Sequence, residues 1–279
     1  MREIPYDPTR KSLYQPEAGA TILKNGGQFS EELVCAEAAR LVYKKFERQD
    51  AAAEEIRQAL SHAGFGDLSF FSVEGTSALA ACNAETSTAI VAFRGTEQDP
   101  TDILIDLKGW PRNWPAGGKV HEGFYQAFNR IKPSIESLIA AHPGRLLLTG
   151  HSLGAALATL ATSIRIPTRL LTFGSPRVGN DEFVSTLRGI EILRYVDCCD
   201  IVTQLPPEVA GFSHCGDLRY IDQMGNILKV PPVESITEDR VQARVGYTFA
   251  YSWRIGSVAV RDLADHSPIN YVSALQAAL

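Results

Sequence analysis

No stretch of this sequence stays apolar for the roughly twenty residues that a helix needs to cross a bilayer. Nor does the opening MREIPYDPTRKSLYQ carry the unbroken apolar core of a secretory leader, since charge and proline run through it. The expectation is a cytoplasmic protein, with export of a processed form left open. Cysteine is scarce: Cys35, Cys82, Cys198, Cys199 and Cys215 make an odd set of five with one adjacent pair, a poor framework for disulfides. No two have the CxxC spacing of a structural zinc site, so free thiols and a reducing compartment are expected. Positive charge is also short. Lys and Arg number 27 against 32 for Asp and Glu, a formal net charge of -5, and no basic run occurs, which argues against a nucleic-acid partner. Repeats, low-complexity tracts and linkers are missing too, so residues 1–279 are read as one domain.

What the chain does have is 45% hydrophobic residues, enough to bury a sizeable core. From Ser30, an N-cap type of residue, Val34, Ala38, Leu41, Val42 and Phe46 fall on one helical face with charges opposite. A second helix is predicted over 51–62, stopping at Gly64. Short runs rich in apolar and β-branched residues follow: LSFFSV from Leu68, ALAAC from Ala78, AIVAF from Ala89, RLLLT from Arg145, RLLTF from Arg169 and EILRYV from Glu191. Helical patterns over 124–141, 153–164 and 181–188 separate the last four. Such alternation predicts an α/β fold, a mostly parallel central sheet joined by right-handed crossovers and covered by helices on both faces. In sheets of this kind chemistry gathers where the strands end.

One such strand end reads RLLLTGHSLGAALATL from Arg145. A strand that turns sharply into a helix forces the apical residue into a strained conformation, and Gly150 and Gly154 remove the side chains that would clash there. The strain lifts the Ser152 hydroxyl clear of the backbone, near the positive end of the helix dipole. A GxSxG match also arises by chance; the apolar strand before it and the helix former after it are the context a nucleophile elbow requires.

A serine hydroxyl attacks only when a histidine takes its proton and a carboxylate orients that histidine, and in an α/β-hydrolase both partners come later in the chain, acid first. Only His214 and His266 follow Ser152. His266 precedes Ser267 and Pro268, which read as the N-cap and first residue of a terminal helix; loop placement therefore favours it, while His214 in GFSHCGDLRY reads equally as a structural histidine. For the acid, EILRYVDCCDIVTQLPP offers Asp197 and Asp200, which sequence physics does not separate. An oxyanion needs donors: the Leu153 N–H follows the nucleophile, and Thr96, at the end of the AIVAFRGT strand, offers a hydroxyl and an N–H.

Taken together, FRGT at Phe93, VHEGF at Val120, TGHSLGAALATL at Thr149, TFGSPRVGN at Thr172, DIVTQLPP at Asp200 and DHSPINY at Asp265 resemble the class 3, fungal-type triacylglycerol lipases, in the family's order and over about two thirds of the chain. The resemblance implies an α/β-hydrolase fold with Ser152 as nucleophile, Asp200 as acid, His266 as base, and Thr96 and the Leu153 N–H as oxyanion donors. It implies a carboxylic ester hydrolase acting through an acyl-enzyme on acylglycerols or related fatty-acyl esters, at a lipid interface or in solution, without metal or cofactor. Departures are small: Ala155, Ser175 and Thr203 replace a glycine, a glutamine and a proline common in the family. The family often carries a lid after FRG(T/S), so residues 99–118, with Ile103, Leu104, Ile105, Leu107, Trp110 and Trp114, are a candidate lid or else a fixed, packed segment. The aromatic-rich run from Ala243 is a second candidate cavity wall. Feruloyl esterases share the architecture with a more polar loop, so an aryl-ester substrate is an alternative, and a non-catalytic lipase-like binding module is another.

Overall fold

The computed structural model describes residues 4–95 and 110–279 of the chain. After a short helix α1 (Arg10–Tyr14), α2 spans Glu31–Leu41 and α3 Asp50–Ser61. Ser30 caps α2 as its residue type suggests, its hydroxyl accepting from the Leu33 N–H at 3.2 Å. The charges on α2 are not all opposite the core: Glu37 and Arg40 are buried. They persist there because they satisfy each other, in a 2.6 Å ion pair, and because Arg40 also donates to the Pro16 carbonyl.

The six runs expected as strands all form. β1 (Asp67–Val73), β2 (Thr76–Asn83) and β3 (Thr88–Phe93) make an antiparallel meander; β4 (Pro111–Asn113) and β5 (Lys119–His121) pair as a small separate ribbon. Then α4 (Glu122–Ala141), β6 (Arg145–His151), α5 (Leu153–Ala161), β7 (Arg169–Phe173), α6 (Asp181–Ser185), β8 (Glu191–Asp197), β9 (Asp217–Ile221) and β10 (Ile227–Lys229) follow. The chain closes with α7 (Val233–Ala250), α8 (Arg261–Ala264) and α9 (Pro268–Ala277). Among the described residues one sheet has eight strands in the order β1-β2-β3-β6-β7-β8-β9-β10, parallel from β3 to β9.

Strand periodicity divides the core. Ala89, Val91 and Phe93 of β3 with Leu146 and Leu148 of β6 pack on the α4 and α5 side, whereas Ile90, Ala92 and Leu147 face α2 and α9. Helix layers on both faces explain why these strands read as continuous apolar runs rather than alternating ones. The register aligns Phe93 with Gly150, His151 with Phe173 and Phe173 with Tyr195, so four parallel strands end along one edge. The N-terminal segment is tied to the C-terminal one: Tyr6 donates to Asp265, Asp7 N–H to the Asn270 side chain, and Thr9 bridges to Ser257.

α7 was not legible as a helix. Its apolar residues Val241, Val245 and Phe249 point outward, and only Ala243 and Tyr247 on it are buried, so the usual signal of an inward apolar stripe is absent.

Candidate active site

β6 enters α5 through Gly150-His151-Ser152-Leu153-Gly154. A Cβ on Gly150 would lie 2.3 Å from the Gly154 backbone, and one on Gly154 would lie 2.1 Å from the Phe93 carbonyl oxygen, so both positions require glycine. Ser152 stands at the apex with φ 58 and ψ -128. That conformation costs a residue with a side chain about 1–3 kcal/mol. It is held by the Ser152 N–H donating to the Phe173 carbonyl and the Ala155 N–H donating to the Ser152 carbonyl, each at 3.0 Å.

Two later connections bring side chains to this apex. His266, between α8 and α9, has Nε2 2.9 Å from Ser152 Oγ. Its Nδ1 is 3.0 and 2.9 Å from the two oxygens of Asp200, three residues beyond the end of β8. Relative exposure is 1% for Ser152, 2% for His266 and 0% for Asp200, which keeps their interactions out of competing water. The connection that carries His266 is buried from Asp265 through Ser267. Ser267 occupies the cap position of α9 but spends its hydroxyl on the Ser12 carbonyl rather than on the helix.

Asp200 has further donors. The Val202 N–H reaches Oδ1 at 2.9 Å, and the Tyr271 hydroxyl reaches Oδ2 at 2.6 Å while accepting from the Asp197 N–H at 3.0 Å. Burial, with Asp200 and Asp197 beside it, pushes the Tyr271 phenol well above its ordinary range, so it stays a donor. Sequence reasoning did not single out Tyr271. It closes the DHSPINY stretch, but only the winding of α9 returns it to the carboxylate.

The two alternatives left open in the sequence occupy other surroundings. Asp197 is buried, and desolvation, with Asp265 nearby, raises its carboxyl well above the usual carboxylate range. His214 is pushed down to about 2 by burial, with Arg194 and Arg177 adding to the effect, and it is His266 that meets the Ser152 hydroxyl. His151 packs against His266 with the rings tilted by 37° and their centroids 4.5 Å apart, and its Nδ1 is 3.0 Å from the Tyr43 hydroxyl. Burial holds His151 well below the ordinary histidine value, so it adds no charge beside His266.

Leu153 is the first residue of α5, so its N–H is among those a helix leaves without an internal acceptor. Thr96 lies outside the described residues. The strand that leads to it is fixed by Arg94, whose guanidinium donates to the Val42 and Lys44 carbonyls and to Glu47. Gly95 passes so close to the elbow that a Cβ there would lie 2.8 Å from the His151 carbonyl oxygen and 2.0 Å from the Tyr43 hydroxyl. Of the candidate lid, Ile103, Leu104, Ile105 and Leu107 also lie outside the described residues. Trp114 is buried against Tyr125, Phe128 and Phe183, a core position rather than a lid, whereas Trp110 is exposed. Of the run from Ala243, Ala243 and Tyr247 are buried, whereas Phe249 and Trp253 face solvent.

Among the described residues, Cys198, Cys199 and Asp265 bring two thiols and a carboxylate within 4.8 Å. That carboxylate already accepts from Tyr6, Arg261 and the Cys199 N–H, which gives the group a structural account. All five cysteines are free.

A mostly parallel sheet with a serine at a strand-to-helix elbow, and with histidine and aspartate supplied by later connections, defines an α/β-hydrolase. Residues 90–210 match the family model described as Lipase (class 3). Secreted mono- and diacylglycerol lipase 1 of Fusarium solani is 34% identical over 164 residues, 49% of this chain and 49% of that protein. Among solved structures, lipase II from Rhizopus niveus superposes with a TM-score of 0.57 at 26% identity, covering 68% of this chain and 78% of that one. A triacylglycerol lipase whose catalytic centre is described as a serine protease triad superposes with a TM-score of 0.54 at 26% identity, covering 68% and 77%. Over residues 90–210 the chain is similar to the class 3 lipases. It spans about half the length of the curated relatives it matches. The cytoplasmic expectation finds no support in them, since the Fusarium relative is named as secreted. No helix among the described residues is long and apolar enough to cross a membrane.

Proposed function

We propose that this chain is a serine carboxylic ester hydrolase that cleaves acylglycerols or related fatty-acyl esters through an acyl-enzyme. The observation that carries the reading is the unbroken hydrogen-bonded series from Ser152 Oγ through the His266 ring to Asp200, with links of 2.9 and 2.9 Å. Ser152 attacks the ester carbonyl while His266 Nε2 takes its proton. The imidazolium, oriented and stabilised by Asp200, then protonates the leaving alcohol; a water deprotonated by the same nitrogen hydrolyses the acyl-serine. The tetrahedral oxyanion is met by the Leu153 N–H and by Thr96. Residues 1–279 act as one domain, a reading supported by the ties from Tyr6 and Asp7 to Asp265 and Asn270.

Covalent labelling by a fluorophosphonate, with hydrolysis of p-nitrophenyl esters of increasing chain length, tests the proposal. Ser152→Ala is expected to abolish labelling and to lower kcat by about a million-fold. Retention of most activity in that variant would refute the mechanism. A steep fall in kcat/KM beyond butyrate would instead leave the mechanism standing and move the substrate away from fatty-acyl esters.

A further inference from the structure

Beside the Ser152 elbow one polar atom is out of place. Among the described residues, Nε2 of His151 is buried and has no hydrogen-bond partner. A buried ring nitrogen left in that state lowers stability, and a phenylalanine or leucine would fill similar space without the penalty. A histidine kept there calls for a task other than packing.

Its surroundings say which. His151 closes β6 directly before Ser152. The ring centroids of His266, Tyr271 and Tyr43 lie 4.5, 5.8 and 6.0 Å from its own. The Tyr43 hydroxyl, 3.0 Å from Nδ1, sets the angle of the ring. At the end of β7, Gly174 has φ 58, and a Cβ there would lie 3.1 Å from His151 Nε2, 3.2 Å from His266 Cε1 and 2.8 Å from Asp200 Oδ2. His151, the imidazole at 266 and the carboxylate at 200 therefore share one wall. Hydrogen bonds hold His266 at its two nitrogens, to Asp200 and to Ser152 Oγ, and both act in the plane of the ring. They leave the ring able to rock about the line that joins those nitrogens. A second ring packed on its face removes that freedom, and small misplacements of a reacting group are expensive in rate. Burial keeps His151 well below the ordinary histidine range, so it stays neutral when His266 takes the serine proton and does not repel the imidazolium.

We propose that His151 is a positioning residue for the base: its ring, oriented by Tyr43, braces the face of His266 and keeps Nε2 on the Ser152 hydroxyl. The inference rests on the hydrolase reading and goes beyond it by giving work to a residue outside the triad. Two substitutions in the full chain separate the ring from its hydrogen bond. His151→Asn keeps a polar group for the Tyr43 hydroxyl but has no ring face; His151→Phe keeps the face and gives up the bond. On a soluble p-nitrophenyl ester, His151→Asn is expected to lower kcat at least about tenfold with KM within about twofold, and His151→Phe to stay within about threefold of the parent. Labelling by a fluorophosphonate should slow in the same order, because it too needs the base. A purely structural role would lower the melting temperature of both variants and move kcat in neither, at a temperature where both are folded. Equal kcat in the parent and His151→Asn, or equal losses in the two variants, would overturn the proposal. Should His151→Asn not fold, Tyr43→Phe serves, with a loss of about threefold in kcat expected and an unchanged kcat overturning the idea. A parent that neither hydrolyses the ester nor takes the label would overturn the hydrolase reading itself, an outcome distinct from a working parent that is indifferent to position 151.

Discussion

Two carboxylate pockets lie back to back beyond β8, equally buried and differently furnished. Around Asp200 the donors are His266 Nδ1, the Val202 N–H and the Tyr271 hydroxyl, none of them a fixed cation. Around Asp265, one residue before the imidazole, the donors are Tyr6, the Cys199 N–H and the guanidinium of Arg261. Burial is 0% exposure for both, so burial alone does not separate the carboxylate that meets the His266 ring from the one that meets Arg261. The partner set does. A permanent cation beside Asp200 would compete with the imidazolium for its charge. Neutral donors leave that charge for the histidine while still satisfying every oxygen.

The sharpest way to break this comparison is Asp200→Asn. The amide keeps the shape of the pocket but presents the wrong partner to Nδ1, so the ring loses its working tautomer, and kcat on a soluble ester is expected to fall about ten-thousand-fold with folding retained. A loss of only a few-fold, measured on protein whose melting curve matches the parent, would mean that another carboxylate orients His266.

Tyr271→Phe should do less. It removes one charge-assisted hydrogen bond to Asp200, and a bond of that kind contributes about 1.5–3 kcal/mol, so kcat should drop about ten- to a hundredfold while KM holds. The Asp197 N–H would also lose its acceptor, and some thermal stability with it. If Tyr271 merely packs α9 against the sheet, stability should fall and kcat should not.

Much of this region could be read in the chain itself, and what could not has a common physical cause. The elbow was legible because its requirements are local: an apolar strand, glycines at 150 and 154, and a helix former after them. The parallel strands were legible because helices cover both faces and leave long apolar runs. The choice between Asp197 and Asp200 rested on family resemblance, since the donors that distinguish them come from α9, some seventy residues away in the chain. Tyr271 stayed unremarked for the same reason. α7 was missed because pattern reading assumes that apolar residues face inward, and Val241, Val245 and Phe249 face out. Buried Glu37 and Arg40 invert that assumption in the other direction: charge on a helix was read as a solvated face, when each ion is the reason the other can be buried.

The gentlest test concerns the aspartate that sequence alone left level with Asp200. Asp197 has its carboxyl raised well above the ordinary range, first by burial and then by the nearby Asp265. An acid whose proton is held more tightly in the folded chain stabilises the fold fully below its unfolded pKa, about 3.9, and loses that contribution as pH climbs toward the folded value. Asparagine has no such proton to give up. Asp197→Asn should therefore melt near the parent at pH 4 and increasingly above it toward pH 8, each kcal/mol recovered adding about 2–4 °C. Its kcat on a soluble ester should remain within about twofold of the parent, because the Tyr271 hydroxyl is held by the Asp197 backbone N–H and not by its carboxyl. A melting difference that does not change between pH 4 and pH 8 would show that the carboxyl is not held protonated by burial. A collapse in rate as deep as that of Asp200→Asn would show that the two pockets are one.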